Sequence, residues 1–360
     1  MSFLTGVIFL NAPAAALNNS GADTSSGNDN AIAVKAIQTK EGKFPYVSAQ
    51  AFRAWLRSTL EQQKPYGWQT SPIDREGKIA YTDGNPLDYW DDDLFGYMRA
   101  QGKSKEAKAS REALVSKLTK TETTITRVSP LRVSTFMSIA PNPGLTQDFG
   151  VMARQEGNPV PHEHQFYHAV LKGLFSLDLF AVGTFSHIDR TGYLNLDEVR
   201  IELAKQRGLQ HLAEEKSYRL DDAARRNRVA ALLEGLAIIS GGAKQTLHYT
   251  DITPAIVLAM VTKGGNNPLQ YVITADKNGL PMVHQKALAQ TIDAWRDQIE
   301  SPLYVGWVEG FCDDQREALV KILGDEVVAK LPKGFEIGHP RQILQKIANE
   351  FKQPGNNWLE

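Results

Sequence analysis

Four polar residues at the start of one predicted helix have types and spacing that suit phosphate binding. Ser48 precedes a run of helix formers and follows the extended segment 44–47, so it is the predicted helix N-cap. Gln50, Arg53 and Arg57 follow at i, i+3 and i+7 and share one face of that helix. Two guanidiniums one turn apart repel each other unless an anion neutralises them, and the backbone N–H groups at the helix start favour the same anion. The pattern predicts a phosphate-binding helix, although a solvated face of an ordinary amphipathic helix has the same pattern.

A second candidate for phosphate binding is the segment Ser240-Gly-Gly-Ala-Lys-Gln-Thr246. A pair of glycines lets a backbone approach a phosphate closely, and Lys244 supplies one cation to hold it. The spacing is not that of a Walker P-loop, because the expected strand-then-helix context is missing. A glycine turn that simply ends a helix is the alternative interpretation of the same residues.

The composition describes a globular protein without a strong overall charge. Of 360 residues, 42% are hydrophobic and 22% are charged, and the net charge is −1. Any contact with a nucleic acid must therefore come from a local cationic stripe. The single cysteine, Cys312, excludes an intrachain disulfide and fits a reducing compartment. The apolar run Phe3 to Leu10 lacks a preceding Lys or Arg and is too short to span a membrane, so a buried first strand and a cytoplasmic location are expected.

Two clusters of potential metal ligands do not match the complete pattern of a metal site. The run Asp91-Asp92-Asp93 predicts an acidic loop or a helix start, because neighbouring carboxylates do not converge on one ion without further ligands. His164 and His168 are four residues apart, as in a helical zinc pair, but Glu163 precedes the pair instead of following its first member. The sequence therefore predicts no metal, no cofactor and no catalytic residue.

Periodicity predicts strands separated by helices and long inserts, which is typical of an α+β or α/β body. Strands are predicted at 2–10, 32–37, 174–182, 255–261 and 268–275, and mostly helical structure at 196–239, 285–299, 313–323 and 341–351. The segment from Lys64 to Lys120 is predicted as an inserted lobe with a helix at 104–118. Two extended arms between 126 and 161 predict a projecting hairpin. Its apolar residues Leu145, Phe149 and Met152 have no obvious core partner, so contacts with another molecule and packing within the chain both remain possible.

In this order, the features resemble the backbone subunit of a type I CRISPR surveillance complex (Cascade), specifically the DevR autoregulator group, which is type I-B-like. The resemblance covers most of the first 260 residues, and the helix with the pattern Ser-x-Gln-x-x-Arg-x-x-x-Arg is its most specific part. The matching segments are 16–18, 29–30, 34–35, 45–57, 166–167, 171–178, 182–185 and 240–245.

The resemblance implies a fold and a set of binding residues. The fold would be α+β: a modified RNA-recognition-motif (ferredoxin-like) palm made by residues 1–360, with an inserted finger lobe at 60–120 and a thumb hairpin at 128–165. The thumb would use Leu145, Phe149 and Met152. The RNP1 pattern of ordinary RNA-recognition domains is absent, since 182–186 does not fit it. The implied RNA-binding residues are Asn18, Lys35, Tyr46, Ser48, Gln50, Arg53, Arg57, Gly241, Gly242, Lys244 and Gln245.

The resemblance also implies a non-catalytic function. Copies of the subunit would line up along the spacer of a CRISPR RNA, flip out one base at regular intervals and leave the others free to pair with target DNA. The expected partners are CRISPR RNA, target DNA through the guide, further copies of the chain and other Cascade subunits, with no membrane. One alternative is a metal-dependent ribonuclease that uses a thumb aspartate, for which Asp148 is the candidate. The other is a DNA-binding repressor of its own operon, although no helix-turn-helix pattern stands out.

Overall fold

The computed structural model describes residues 1–22, 30–76, 79–100, 119–121, 123–142, 145–152, 158, 160–324, 331–353 and 355–360. The strands are β1 (Ser2–Ala15), β2 (Asn19–Ala22), β3 (Ala31–Val34), β4 (Ala36–Gln38), β5 (Lys43–Val47), β6 (Ile73–Glu76), β7 (Ile79–Thr82), β8 (Tyr97–Arg99), β9 (Ile125–Arg127), β10 (Leu131–Val133), β11 (Phe136–Ser138), β12 (Thr146–Met152), β13 (Val160–Asp178), β14 (Thr184–Ser186), β15 (Gln210–Leu212), β16 (Ser217–Arg219), β17 (Ile256–Lys263), β18 (Ile273–Ala275), β19 (Pro281–Val283), β20 (Leu303–Trp307) and β21 (Phe335–Gly338). The α-helices are α1 (Ala49–Gln63), α2 (Trp90–Phe95), α3 (Glu198–Gln206), α4 (Asp222–Ala237), α5 (Gln285–Ala294), α6 (Asp313–Gly324) and α7 (Pro340–Lys352), and 3-10 turns cover Pro65–Gly67 and Pro268–Tyr271.

A twelve-stranded mixed sheet forms the centre of the described structure. Its main path runs β21-β20-β17-β1-β13-β11-β5-β4, with β2, β3, β10 and β12 attached beside it. The pairs β20–β21 and β13–β3 are parallel, while β1 is antiparallel to both β13 and β17. Residues 2–10 of β1 are all buried, which confirms the predicted first strand and extends it to Ala15.

Both faces of the sheet are covered, and alternate residues of β1 face opposite ways. Leu4, Ile8 and Leu10 belong to a core cluster that also contains apolar residues of α1, α4 and α7. Val7 and Phe9 belong to a second cluster that contains apolar residues of α5 and α6. A strand buried on both faces reads as a continuous apolar run, as this one does. Mixed helices and strands around a large mixed sheet agree with the predicted α+β class, and the RNA-recognition-motif palm stays a prediction.

The run of three aspartates begins a helix, as predicted. Asp91, Asp92 and Asp93 lie in the first turn of α2, and all three are buried. Asp91 accepts a hydrogen bond from the N–H of Ser71 at 2.8 Å, and Asp92 accepts one from the N–H of Asn85 at 3.0 Å. Burial, followed by the charge of Asp91, raises the pKa of Asp92 to about 7.

Asp93 ties the inserted lobe to the body of the protein through a buried ion cluster. Its carboxylate pairs with Arg127 and with Arg228, whose Nη1 lies 2.6 Å from Oδ2. It also accepts the N–H of Gly183 at 2.9 Å. Both arginine side chains are 3% exposed, and the side chain of Asp93 is fully buried, so the charges depend on one another for neutralisation.

The prediction of one continuous strand at 32–37 is wrong, because this segment forms two short strands, β3 and β4. β3 pairs with β2 and β13, whereas β4 pairs with β5. The chain changes partners at Lys35, whose N–H donates to the carbonyl of Asn18 at 2.8 Å and whose carbonyl accepts the N–H of Tyr46 at 3.0 Å. Lys35 therefore lies in a link between two strands.

Two further element predictions are wrong in part. The segment 196–239 contains α3 and α4, but β15 and β16 lie between them, because β16 pairs with β14 at 184–186. Lys216, at φ 47°, lies in the turn that joins the two strands. The predicted strand 268–275 is a 3-10 turn followed by the short strand β18. The predicted helix 104–118 lies outside the described residues. Within the described ranges, no helix combines the length and apolar character needed to cross a lipid bilayer.

Candidate nucleic-acid interface

The start of α1 is held by residues from two other parts of the chain. Ser48 is the N-cap, as predicted: its Oγ accepts the N–H of Ala51 at 3.3 Å. The N–H of Ser48 in turn donates to Oδ1 of Asn18 at 3.0 Å. Since Lys35 also bonds to the backbone of Asn18 and Tyr46 bonds to Lys35, the structure brings Asn18, Lys35, Tyr46 and Ser48 together.

The segment 241–245 joins this group from the far end of α4. The N–H of Ala243 donates to the carbonyl of Leu17 at 3.0 Å, one residue before the carbonyl that holds Lys35. The side chain of Gln245 closes the loop internally: Nε2 donates to the carbonyls of Gly241 at 2.5 Å and Thr250 at 3.2 Å. The two lysine-bearing segments therefore attach to consecutive residues of one short stretch, 17–18.

The two glycines of this segment are required by packing. At Gly241, with φ +151°, a Cβ would lie 2.5 Å from Cγ of Trp55 on α1. At Gly242, with φ +107°, a Cβ would lie 2.7 Å from Cδ2 of Leu17. Because α4 ends at Ala237, the glycine pair lies beyond the helix and is not its cap. The glycines allow the loop to lie against α1 and against Leu17, just after β1, and Lys244 follows them in the same loop.

The two arginines of α1 share one face, as predicted, but that face packs against the inserted lobe. The guanidinium carbons of Arg53 and Arg57 lie 5.4 and 4.7 Å from the ring centroid of Phe95. Arg53 donates from Nη1 to the carbonyl of Leu131 and from Nη2 to the carbonyl of Phe95, both at 2.6 Å. Burial, followed by the charge of Arg57, lowers the pKa of Arg53 to about 10.

These contacts change the expected role of the arginines. A guanidinium held by two carbonyls keeps α1 in place, and it has to exchange these bonds before it can bind a phosphate. Nε of Arg57 is buried without a hydrogen-bond partner, so Arg57 is less completely engaged than Arg53. The structure thus separates the predicted residues into a group around 17–18 and an arginine pair on Phe95.

We define the 17–18 surface as Asn18, Lys35, Tyr46, Ser48, Gln50 and residues 241–245. Gln50 is exposed, and both Lys35 and Lys244 are partly exposed. Two lysines beside a helix start present point charges to an anion, without the planar fork that an arginine offers. Such a surface can hold phosphate groups and has no built-in preference for a base.

The predicted hairpin is present between β12 and β13. The strands are antiparallel, and their register runs from Thr146 opposite Phe166 to Met152 opposite Val160. Phe149 is 61% exposed. Leu145 packs against the main core cluster, so of the two alternatives that the sequence left open, packing within the chain holds for this residue. The side chain of Met152 lies outside the described residues.

The histidines of 162–168 lie on β13, so the helical spacing considered for His164 and His168 does not apply. On a strand, His162 and His164 point to the same side, and their rings stack with centroids 5.3 Å apart. His168 is exposed, with Nδ1 3.0 Å from the carbonyl of Pro13. The neighbour that the sequence did not reveal is His248, whose ring centroid is 5.5 Å from that of His164.

Among the described residues, one group of three has ligand atoms close enough to share a metal ion: Asp148, His164 and His248, all within 4.8 Å of one another. His164 was paired from the sequence only with His162 and His168, and the structure brings Asp148 and His248 to it instead. Burial, then the charge of Lys244, lowers the pKa of His164. No sequence signal could have paired His248 with His164, because they come from separate elements.

Comparison with known proteins identifies the fold. A chain of a solved structure described as a CRISPR RNA-guided surveillance complex superposes with a TM-score of 0.51 at 11% sequence identity, covering 96% of this chain and 98% of that chain. A chain of a second, described as a CRISPR RNA-guided surveillance complex, pre-nicking, gives a TM-score of 0.50 at 12% identity, covering 96% and 99%. No protein-family model matches this sequence, and no curated protein matches it. At these identities the similarity establishes a shared fold over nearly the whole length of the chain.

Proposed function

We propose that this chain is a non-catalytic, guide-RNA-binding backbone subunit of a CRISPR surveillance complex, of the DevR, type I-B-like group. The observation that carries the proposal is the convergence on residues 17–18 of three segments that are distant in sequence. These segments contain Lys35, Ser48 and Lys244, which the resemblance had singled out. The fold shared with chains of CRISPR RNA-guided surveillance complexes supports the same assignment.

The chemistry of the 17–18 surface suits a guide RNA of arbitrary sequence. Such an RNA must be held through its phosphates and sugars, so that its base edges remain free for pairing. Lys35 and Lys244 supply the charge, and the helix start at Ser48 supplies backbone donors. A net charge of −1 is compatible with this role, because copies of the chain along the guide repeat the local charges.

The hairpin β12–β13 is the proposed thumb. Phe149 is 61% exposed on this hairpin, where an aromatic side chain can insert between bases of a bound strand. Leu145 anchors the base of the hairpin in the core, so only its distal part is available for such contacts. In the assembled complex, we expect the partners to be other copies of the chain, further subunits and target DNA paired to the guide.

A salt titration of RNA binding tests the proposal. The purified chain is mixed with a labelled single-stranded RNA of guide length, and fluorescence anisotropy is recorded at increasing NaCl concentrations. The logarithm of the binding constant is expected to fall linearly with the logarithm of salt, by about 0.7 per phosphate contact. Two RNAs of unrelated sequence should bind equally well. A flat titration, or a strong preference for one sequence, would contradict phosphate-mediated binding.

The second candidate is a metal-dependent ribonuclease centred on Asp148. The observation in its favour is that Oδ2 of Asp148 lies 3.6 Å from Nε2 of His164, with His248 close by. However, Mg²⁺ prefers oxygen ligands, and this set is mostly nitrogen. Bound complementary RNA should therefore stay intact with Mg²⁺ on a denaturing gel. Cleavage that is lost in Asp148→Ala would favour the ribonuclease.

A further inference from the structure

A carboxylate and two imidazoles meet between the hairpin and the loop that follows α4. Asp148 on β12 is directly opposite His164 on β13, and their Oδ2 and Nε2 atoms are 3.6 Å apart. In a tetrahedral zinc site with bonds of about 2.0 to 2.2 Å, neighbouring ligand atoms are about 3.4 Å apart. The two atoms are thus already close to the separation that one shared ion requires.

His248, in the loop that follows α4, completes the group. Its ring is inclined at 80° to that of His164, so the two imidazoles approach from different directions. Nε2 of His248 is buried and has no hydrogen-bond partner, which is costly for a polar atom unless a ligand satisfies it. The ring is held in place by stacking on Phe166, with centroids 4.9 Å apart and planes inclined at 20°.

We propose that Asp148, His164 and His248 bind a divalent transition-metal ion of the Zn²⁺ class. Two imidazole nitrogens and one carboxylate oxygen suit zinc and its neighbours, and they do not suit Mg²⁺ or Ca²⁺. His162 stacks on His164 but does not belong to the group whose ligand atoms lie within 4.8 Å of one another. Three protein ligands leave a fourth position for water, and the side chain of Asp148 is 54% exposed.

Such an ion would fasten the hairpin to the loop that carries Lys244. The backbone N–H of His248 donates to the carbonyl of Lys244 at 2.8 Å, so a metal at His248 would fix the position of that lysine. The positive charge of Lys244 acts on His164 and opposes a cation at the site. Metal binding at this site needs only three side chains of this chain and no RNA, so it does not depend on the proposed function.

The test uses the full chain, stripped of metal with EDTA, and ZnCl₂ as the probe. Competition with a chromophoric chelator is expected to give one Zn²⁺ per chain, and thermal unfolding should shift upwards when zinc is added. Removing a residue that only supports a metal ligand by a hydrogen bond typically weakens metal binding 10- to 100-fold. Removing a ligand itself, in His248→Gln or Asp148→Asn, is therefore expected to lower the zinc affinity at least about 100-fold. His168→Gln is the matched control, because His168 lies exposed on the same strand and does not belong to the group.

Cobalt substitution distinguishes this site from chance binding. Co²⁺ should give the intense visible absorption of a four-coordinate site in the parent chain and in His168→Gln, and not in His248→Gln. Equal zinc affinity in all variants, or no bound zinc in the parent chain, would overturn the proposal. Circular dichroism and the unfolding temperature without metal show whether each variant is folded. RNA binding is measured in parallel. A chain that binds RNA but no zinc would contradict the metal site alone, and a chain that binds zinc but no RNA would contradict the proposed function alone.

Discussion

The double substitution Lys35→Glu with Lys244→Glu is expected to abolish co-purification of guide RNA while leaving the protein folded. Each lysine is partly exposed on the 17–18 surface, and each charge reversal replaces an attraction to phosphate with a repulsion. Hydrogen bonds to charged groups contribute roughly 1.5 to 3 kcal/mol each, so losing two corresponds to a loss of at least about 100-fold in affinity. The measurement is the RNA recovered from the purified protein, with anisotropy titrations for the residual affinity.

The matched control is Lys205→Glu. Lys205 is an exposed lysine at the end of α3, outside the 17–18 surface, and the substitution reverses the same charge. It should leave RNA recovery unchanged. Circular dichroism and unfolding temperature are compared for all variants. If the double variant retained RNA as the parent chain does, the 17–18 surface would not be the binding site.

The arginines of α1 require a different experiment. Arg53 donates to the carbonyls of Phe95 and Leu131, so a glutamate there would break structural bonds and repel the same carbonyls. If such a variant failed to bind RNA, the result would not show whether the binding surface or the fold was damaged. The lysine pair has no such carbonyl contacts from its side chains among the described hydrogen bonds, which is why it gives the cleaner test.

Asp93→Asn is expected to cause the largest loss of stability. The substitution keeps the size of the side chain but removes the negative charge that both Arg127 and Arg228 contact directly. All three side chains are almost completely buried. Removing one partner from a buried ion pair typically costs about 3 to 5 kcal/mol, because the remaining charge is left uncompensated. Urea denaturation, followed by circular dichroism, measures the change in the free energy of unfolding.

Asp88→Asn provides the comparison for this effect. Asp88 pairs with Arg207, but both side chains are about 40% exposed, at 41% and 40%. Water screens such a pair, so its loss should cost no more than about 1 kcal/mol. A small effect for Asp93→Asn, similar to that for Asp88→Asn, would mean that the buried cluster does not hold the inserted lobe to the body.

The elements predicted correctly are those with a local cause. β1 is apolar at every position from Phe3 to Leu10 apart from Thr5 and Gly6, and such a run is typical of a strand covered on both faces. Ser48 caps α1 because its own side chain reaches the N–H of Ala51, three residues away. The C-terminal helix α7 likewise follows from its apolar spacing. In each case, the residues that signal the element are close together in the sequence.

The parts that were missed depend on contacts between distant segments. The segment at Gln210 to Arg219 fell within the range 196–239 that was predicted as mostly helical, and it forms a hairpin because β14 supplies a partner strand. Arg53 and Arg57 were expected to contact phosphate, with a solvated face as the alternative, and they face Phe95 because the inserted lobe packs there. Periodicity shows that two side chains share a face of a helix. It does not show what covers that face.

The residues of the candidate site were predicted from the sequence, but the contacts that bring them together were not. The predicted residues Asn18, Lys35, Ser48 and Lys244 do lie together, and the link between them is a set of backbone bonds to residues 17 and 18 that no sequence pattern encodes. The glycines 241 and 242 were interpreted as a close approach to phosphate, and they also permit a close approach to Trp55 and Leu17. Packing and ligand binding can require the same residue, so the glycine pair alone does not distinguish them.

The most direct test of the central claim is to isolate the chain with its operon neighbours and sequence the RNA that comes with it. If Lys35 and Lys244 hold a guide by its phosphates, the preparation will contain short transcripts of uniform length that join repeat to spacer sequence, and the lysine double variant will lack them. A preparation without RNA, or with cellular RNA of random length and origin, would contradict the assignment of this chain as a guide-binding subunit.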